Sequence, residues 1–112
     1  MTSPTQLSRK RLKETGWTSE ITEHWNSFAK IRQDLFGFGD ILAMRPPTAL
    51  IIQTTTQSHV AERRAKIQKI PEALIALACG ILVEVWGWEK KDKKWVLTID
   101  RLTKDNKWER VS

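Results

Sequence analysis

Two apolar strands, each interrupted by polar residues, constrain this chain more than any other feature. The first runs Phe38-Gly39-Asp40-Ile41-Leu42-Ala43 and the second Ala49-Leu50-Ile51-Ile52-Gln53-Thr54-Thr55, with Arg45-Pro46-Pro47-Thr48 as the turn between them. A run apolar on both faces belongs inside a sheet, because a half-exposed strand alternates. Asp40 breaks the first run. Gln53 and Thr55 break the second and, being two residues apart, share one face of it. A carboxylate and two further oxygen-bearing side chains therefore converge between neighbouring strands. Burying such groups is costly without partners, so the pattern points to a metal ion or a hydrogen-bonded substrate.

The remaining elements follow from periodicity and punctuation. Residues 6–15 set Leu7 and Leu12 among Arg9, Lys10, Arg11 and Lys13 and stop at Gly16, which predicts a short basic helix. Ser19 to Trp25 alternates, with Ile21, Glu23 and Trp25 on one face, as a strand does. Residues 26–34 read as a polar loop, Leu35 to Met44 as the second strand and Thr48 to Thr55 as the third. Ser58 then caps a helix whose apolar positions include Val60, Ile67, Ile70, Leu74 and Leu77. Pro71 either kinks that helix or starts another, and Gly80 ends it. Ile81 to Trp88 and Trp95 to Leu102 form a hairpin across the charged link 89–94, followed by a polar C-terminal tail. The expected fold is α/β, with a mixed central sheet flanked by helices. It forms a single domain over 1–112, with its core at about residues 6–102.

Composition narrows the function classes. At 40% apolar and 29% charged, the chain is an ordinary globular protein and not a disordered one. Its net charge of +6 favours a polyanionic partner, with nucleic acid the commoner choice and bare solubility the alternative. The single cysteine, Cys79, lies in an apolar run, which reads as a core residue in a reducing compartment. The N-terminus lacks the apolar stretch of a signal peptide, and no run approaches the ~18 residues of a membrane span. The expectation is a cytoplasmic protein with no membrane partner. No phosphate-cradling glycine loop, Cys-x-x-Cys pair or nucleophile elbow is present.

The element order helix, three strands, helix, strand, together with Gly39-Asp40 on the second strand, resembles the PD-(D/E)XK nuclease superfamily. That restriction-endonuclease-like αβββαβ core includes the Holliday-junction resolvases, and it would cover roughly residues 6–88. The resemblance extends to small phage and bacterial proteins through Leu35-Phe36-Gly37-Phe38-Gly39-Asp40, Gln53-x-Thr55, the helix from Val60 with Arg63 and Lys66, and Glu84-Val85-Trp86-Gly87-Trp88. It implies a magnesium- or manganese-dependent endonuclease hydrolysing DNA, branched DNA included, as a homodimer in a bacterial or phage-infected cell. The superfamily's third strand carries an acid-x-lysine triplet; here Gln53-Thr54-Thr55 stands in its place.

On that resemblance Asp40 ligates the metal, Gln53 offers a neutral oxygen, and Thr55 adds a hydroxyl. Glu23, in phase with Ile21 and Trp25, either supplies a second carboxylate or is an exposed edge-strand residue. Lys66 or Arg63 takes over the missing lysine's charge, in a stripe with His59 and Glu62; a solvated helix face with a Glu62–Lys66 pair is the plainer reading. Phe36 and Phe38 share Asp40's face and wall the site. Arg9, Arg11, Lys13, Arg63, Lys66 and Lys69 are the expected contacts to nucleic-acid phosphates. Trp86 and Trp88 share a face with Glu84 and serve core packing or a dimer surface, with base stacking as a further use. Two other functions stay open: a catalytically inactive nuclease-fold module that only binds DNA, and a structural protein whose partner docks on the tryptophan face.

Overall fold

The computed structural model describes residues 2–112. Helix α1 (Pro4–Glu14) begins at Ser3, whose Oγ accepts from Gln6 N while Gln6 returns a bond to the Ser3 amide, and it closes on Gly16 at φ +86°. The strands are β1 (Thr18–Ile21), β2 (His24–Asn26), β3 (Ile31–Gln33), β4 (Ile41–Arg45), β5 (Thr48–Thr56), β6 (Ile81–Lys91), β7 (Lys94–Leu102) and β8 (Trp108–Arg110). Helices α2 (Val60–Gln68) and α3 (Pro71–Ala78) sit between β5 and β6. One mixed sheet runs β1-β4-β5-β6-β7-β8, and only β5 and β6 are parallel, because the helical crossover returns the chain in the same direction. A separate hairpin pairs β2 with β3.

Each sheet face has its own core. Leu12 of α1 packs with Ile41, Ala43, Leu50, Ile52, Trp86 and Trp88 on one side. Val60 and Ile67 of α2 and Ala73 and Ala76 of α3 pack with Phe38, Ile51, Val83 and Val85 on the other. The tryptophans of the fourth predicted strand thus serve core packing. Gly87 between them lies on the α2 face, where a Cβ would collide with Val60 Cγ2 and stand 2.7 Å from Gln57 Oε1. Gly87→Ala is expected to destabilise by about 1–3 kcal/mol, read as a lower denaturant midpoint at unchanged slope.

Several elements differ from the sequence reading. The first strand ends at Ile21, because Thr22 Oγ1 and N turn to the carbonyls of Gly39 and Asp40 (2.9 Å each) and the chain leaves the sheet. The expected loop 26–34 is the outer half of the β2–β3 hairpin. The second strand begins only at Ile41: Phe36 (φ +53°) and Gly37 (φ +83°) fold residues 35–39 into a tight turn closed by Leu35 and Gly39. That turn sends Phe36 into solvent at 57% exposure and Phe38 into the α2 core, so neither walls Asp40's site as expected. Pro71 starts a second helix, and Ser58 lies in a 3₁₀ turn before α2, with no capping bond. The polar tail contains β8, paired with β7, and Cys79 is exposed at the end of α3. No helix among the described residues is long and apolar enough to cross a membrane.

Candidate metal centre

The site forms at the end of the sheet, where both helical layers reach it. Asp40 directly precedes β4 and pairs through its amide with Ile52 O at 2.9 Å, which holds its side chain over the outer part of β5. Its Oδ2 accepts from Thr54 N at 2.9 Å and from Gln53 Nε2 at 2.7 Å. Glu23 and Asp34 flank the two ends of the β2–β3 hairpin, and pairing of His24 with Gln33 draws them together. Glu23, Asp34 and Asp40 each present an oxygen within 4.8 Å of the others. Two oxygens on opposite sides of one divalent cation are about 4–5 Å apart, so the trio is correctly spaced to share an ion.

Burial and charge bear most heavily on one member of the trio. Asp40 is only 5% exposed. Burial pushes its carboxyl up to about 7; the Thr54 amide pulls it back, while Asp34 and Glu23 push it further up, Asp34 also by hydrogen bonding to it. Cations surround the cluster: Arg32 NH1 lies 3.5 Å from Glu23 and Lys66 Nζ 3.6 Å from Asp34. A cavity of about 280 Å³ opens over the three carboxylates, lined also by Thr5, Arg32, Gln53, Thr54 and Arg63.

Two polar atoms at this cavity are buried and have no protein partner: Gln53 Oε1 and Arg63 Nε. Buried polar atoms are rarely left unmatched. Gln53 is 3% exposed and spends its amide nitrogen on Asp40, so its oxygen is the free end. Three carboxylate oxygens make a hard donor set of the kind Mg²⁺ or Mn²⁺ takes, and the residues fit such an ion.

The sequence-predicted site residues therefore divide. Asp40, Gln53, Glu23 and Arg63 line one cavity. Lys66 stands at its edge through Asp34, and Glu62 pairs with His59 at 3.6 Å instead of with Lys66. Thr55 is buried one pleat further along β5, in register with Gly87, and does not line the cavity. Lys69 is exposed at the end of α2. On α1, Arg9 bonds Ser19 O at 3.1 Å, Arg11 stacks 5.6 Å over Trp88, and Lys13 is exposed. Asp34 and Arg32 were missed because both fall in the stretch read as a loop; pairing across the hairpin and the tight turn closed by Leu35 and Gly39 bring them to Asp40. Comparison with models of protein families, with curated proteins and with solved structures finds no match for this chain.

Proposed function

We propose that the protein is a divalent-metal-dependent endonuclease of restriction-endonuclease-like architecture acting on DNA. The observation carrying this reading is the convergence of Glu23, Asp34 and Asp40 beside the unpartnered, buried Gln53 Oε1. The architectural part is supported by the order helix, three sheet strands, helix and parallel fourth strand, with helices on both faces.

A bound Mg²⁺ or Mn²⁺ supplies Lewis-acid charge at a phosphodiester. Glu23, Asp34 and Asp40 would hold such an ion, with the Gln53 amide nitrogen fixing Asp40. Arg63 and Lys66 offset negative charge developing on the phosphate, replacing the absent lysine of β5. Ligation needs Asp40 deprotonated, so its raised proton affinity would be pulled back down by a bound ion, and the site's affinity for the metal would rise with pH. Thr5, in the first turn of α1, lines the same cavity, and Arg9 and Lys13 follow it on the same side of the helix, where they can meet the duplex backbone; Arg11 turns the other way, over Trp88.

A catalytically inactive DNA-binding module is the second reading. It is favoured by one observation: β5 carries neither carboxylate nor ammonium where the superfamily places both, and Thr55 lies outside the cavity. Cleavage of labelled linear, single-stranded and four-way-junction DNA separates the two. With Mg²⁺ or Mn²⁺ the wild type is expected to cut, while EDTA or Asp40→Ala abolishes cutting. Salt-sensitive binding without cleavage in any metal would sink the enzyme and leave the module.

A further inference from the structure

The hairpin that supplies two of the three carboxylates also carries a group of exposed apolar side chains. Trp25 is 59% exposed, Ile31 51%, and Phe28, at the tip, 99%. The tip is held in shape: Asn26 Oδ1 accepts from Phe28 N at 3.0 Å and Ala29 N at 3.1 Å, and Lys30 takes φ +55°. Phe28 is thus presented outward by a hydrogen-bonded turn. Trp25 lies directly across from Arg32 in the β2–β3 register. Side chains two apart share a face, so Glu23, Trp25, Arg32 and Asp34 occupy one side of the hairpin. The Arg32–Glu23 contact agrees with that placement.

Ile31, across from Asn26, lies on the other side of the hairpin, so the exposed rings offered beside the carboxylates are Trp25 on their face and Phe28 at the tip. Aromatic rings interleaved with Arg32 and Lys30 suit unpaired nucleotides, whose bases stack while the backbone meets the cations. A second copy of this chain fits less well, since a two-fold contact here would set Arg32 and Lys30 against themselves. We propose that the β2–β3 hairpin grips unpaired nucleotides next to the metal centre, stacking bases on Trp25 and Phe28. The substrate is then nucleic acid with single-stranded character, such as a flap, a junction or a free strand. Placement of a scissile phosphate at the carboxylates rests on the nuclease reading above; the stacking itself does not.

The test is fluorescence anisotropy in EDTA, so that cleavage plays no part. A labelled thymidine oligomer of about 15 nucleotides is compared with a blunt duplex of equal length for wild type and for the double variant Trp25→Ala, Phe28→Ala. Wild type is expected to prefer the single strand by about tenfold or more, and the double variant to lose about 10–100-fold on that strand and little on the duplex. Both side chains are exposed, so the thermal midpoint should not move. Equal affinity for the two DNAs overturns the proposal, as does a double variant that binds the single strand like wild type. A variant that only converts a dimer to a monomer in sedimentation also overturns it, in favour of a protein contact. Binding as expected without cleavage in Mn²⁺ leaves the hairpin's role intact and removes the enzyme; cleavage indifferent to the double variant does the reverse.

Discussion

Asp40→Asn is expected to be inactive and yet more stable than the wild type in metal-free buffer at pH 8. The Asp40 carboxyl, ordinarily near 3.8, is pushed up to about 7 by burial, with its acidic neighbours adding to the shift. Between those two values the folded state binds more protons than the unfolded chain, so unfolding free energy falls as pH rises across that window. This group's contribution is fully present below about pH 4 and is lost as pH rises through about 7. Three pK units correspond to about 4 kcal/mol at most. An asparagine keeps the acceptor for Thr54 N and Gln53 Nε2 and turns a donor towards Asp34 and Glu23, which removes the repulsion.

Thermal unfolding in EDTA at pH 5 and pH 8 reads the effect directly. The gap between variant and wild type should widen by about 2–4 kcal/mol on going to pH 8. Added Mn²⁺ should stabilise the wild type at pH 8 in proportion to its occupancy and leave the variant unmoved. A gap that stays constant with pH would mean that Asp40 is not held protonated by its surroundings. Stability traded for a charged, strained cluster is what a binding site costs and what a purely structural cluster would avoid.

Glu84→Ala is expected to destabilise by about 3 kcal/mol. Glu84 is 3% exposed on the α1 face of β6. Its Oε2 accepts from Arg101 Nε at 2.8 Å and NH2 at 2.7 Å, and its Oε1 accepts from Trp86 Nε1 at 2.9 Å. Truncation strands the buried indole N–H, leaves Arg101 without its counter-charge and opens a hole beside Leu82 and Leu97. Glu84→Gln keeps an acceptor for Trp86 and should cost roughly a third as much. Urea midpoints at constant slope check both; equal losses for Ala and Gln would show that charge, not the indole bond, carries the effect.

The α/β class and the mixed sheet were legible because each rests on local rules. Gly16 and Gly80 end helices at positive φ, Pro71 starts α3, and β5 is apolar on both faces because neighbours cover it on both. Asp40 and Gln53 were legible as a pair for the same reason: polar residues inside an apolar strand stand out from their surroundings. Helical spacing put Arg63 and Lys66 in one polar stripe, but only the family resemblance placed that stripe near Asp40 and Gln53, and neither gave the partners they take.

Other features had no local signal. Residues 22–40 carry weak and conflicting periodicity, and their path is set by the turn at Phe36-Gly37 and by Thr22 bonding to Gly39 and Asp40. From that path follow the β2–β3 hairpin, the arrival of Asp34, and the outward display of Trp25 and Phe28. Ser8 is a comparable case: a polar residue in a basic helix, it is fully buried, accepting from Trp88 Nε1 and bonded to Thr54 Oγ1, both at 2.8 Å. The chain's residues by themselves determine the helices, the central strands and one carboxylate of the site, because propensity, capping and alternation act within a few positions. Only the tertiary structure decides the second and third carboxylates and the raised proton affinity of the first, because charge proximity and burial depend on groups far apart in sequence.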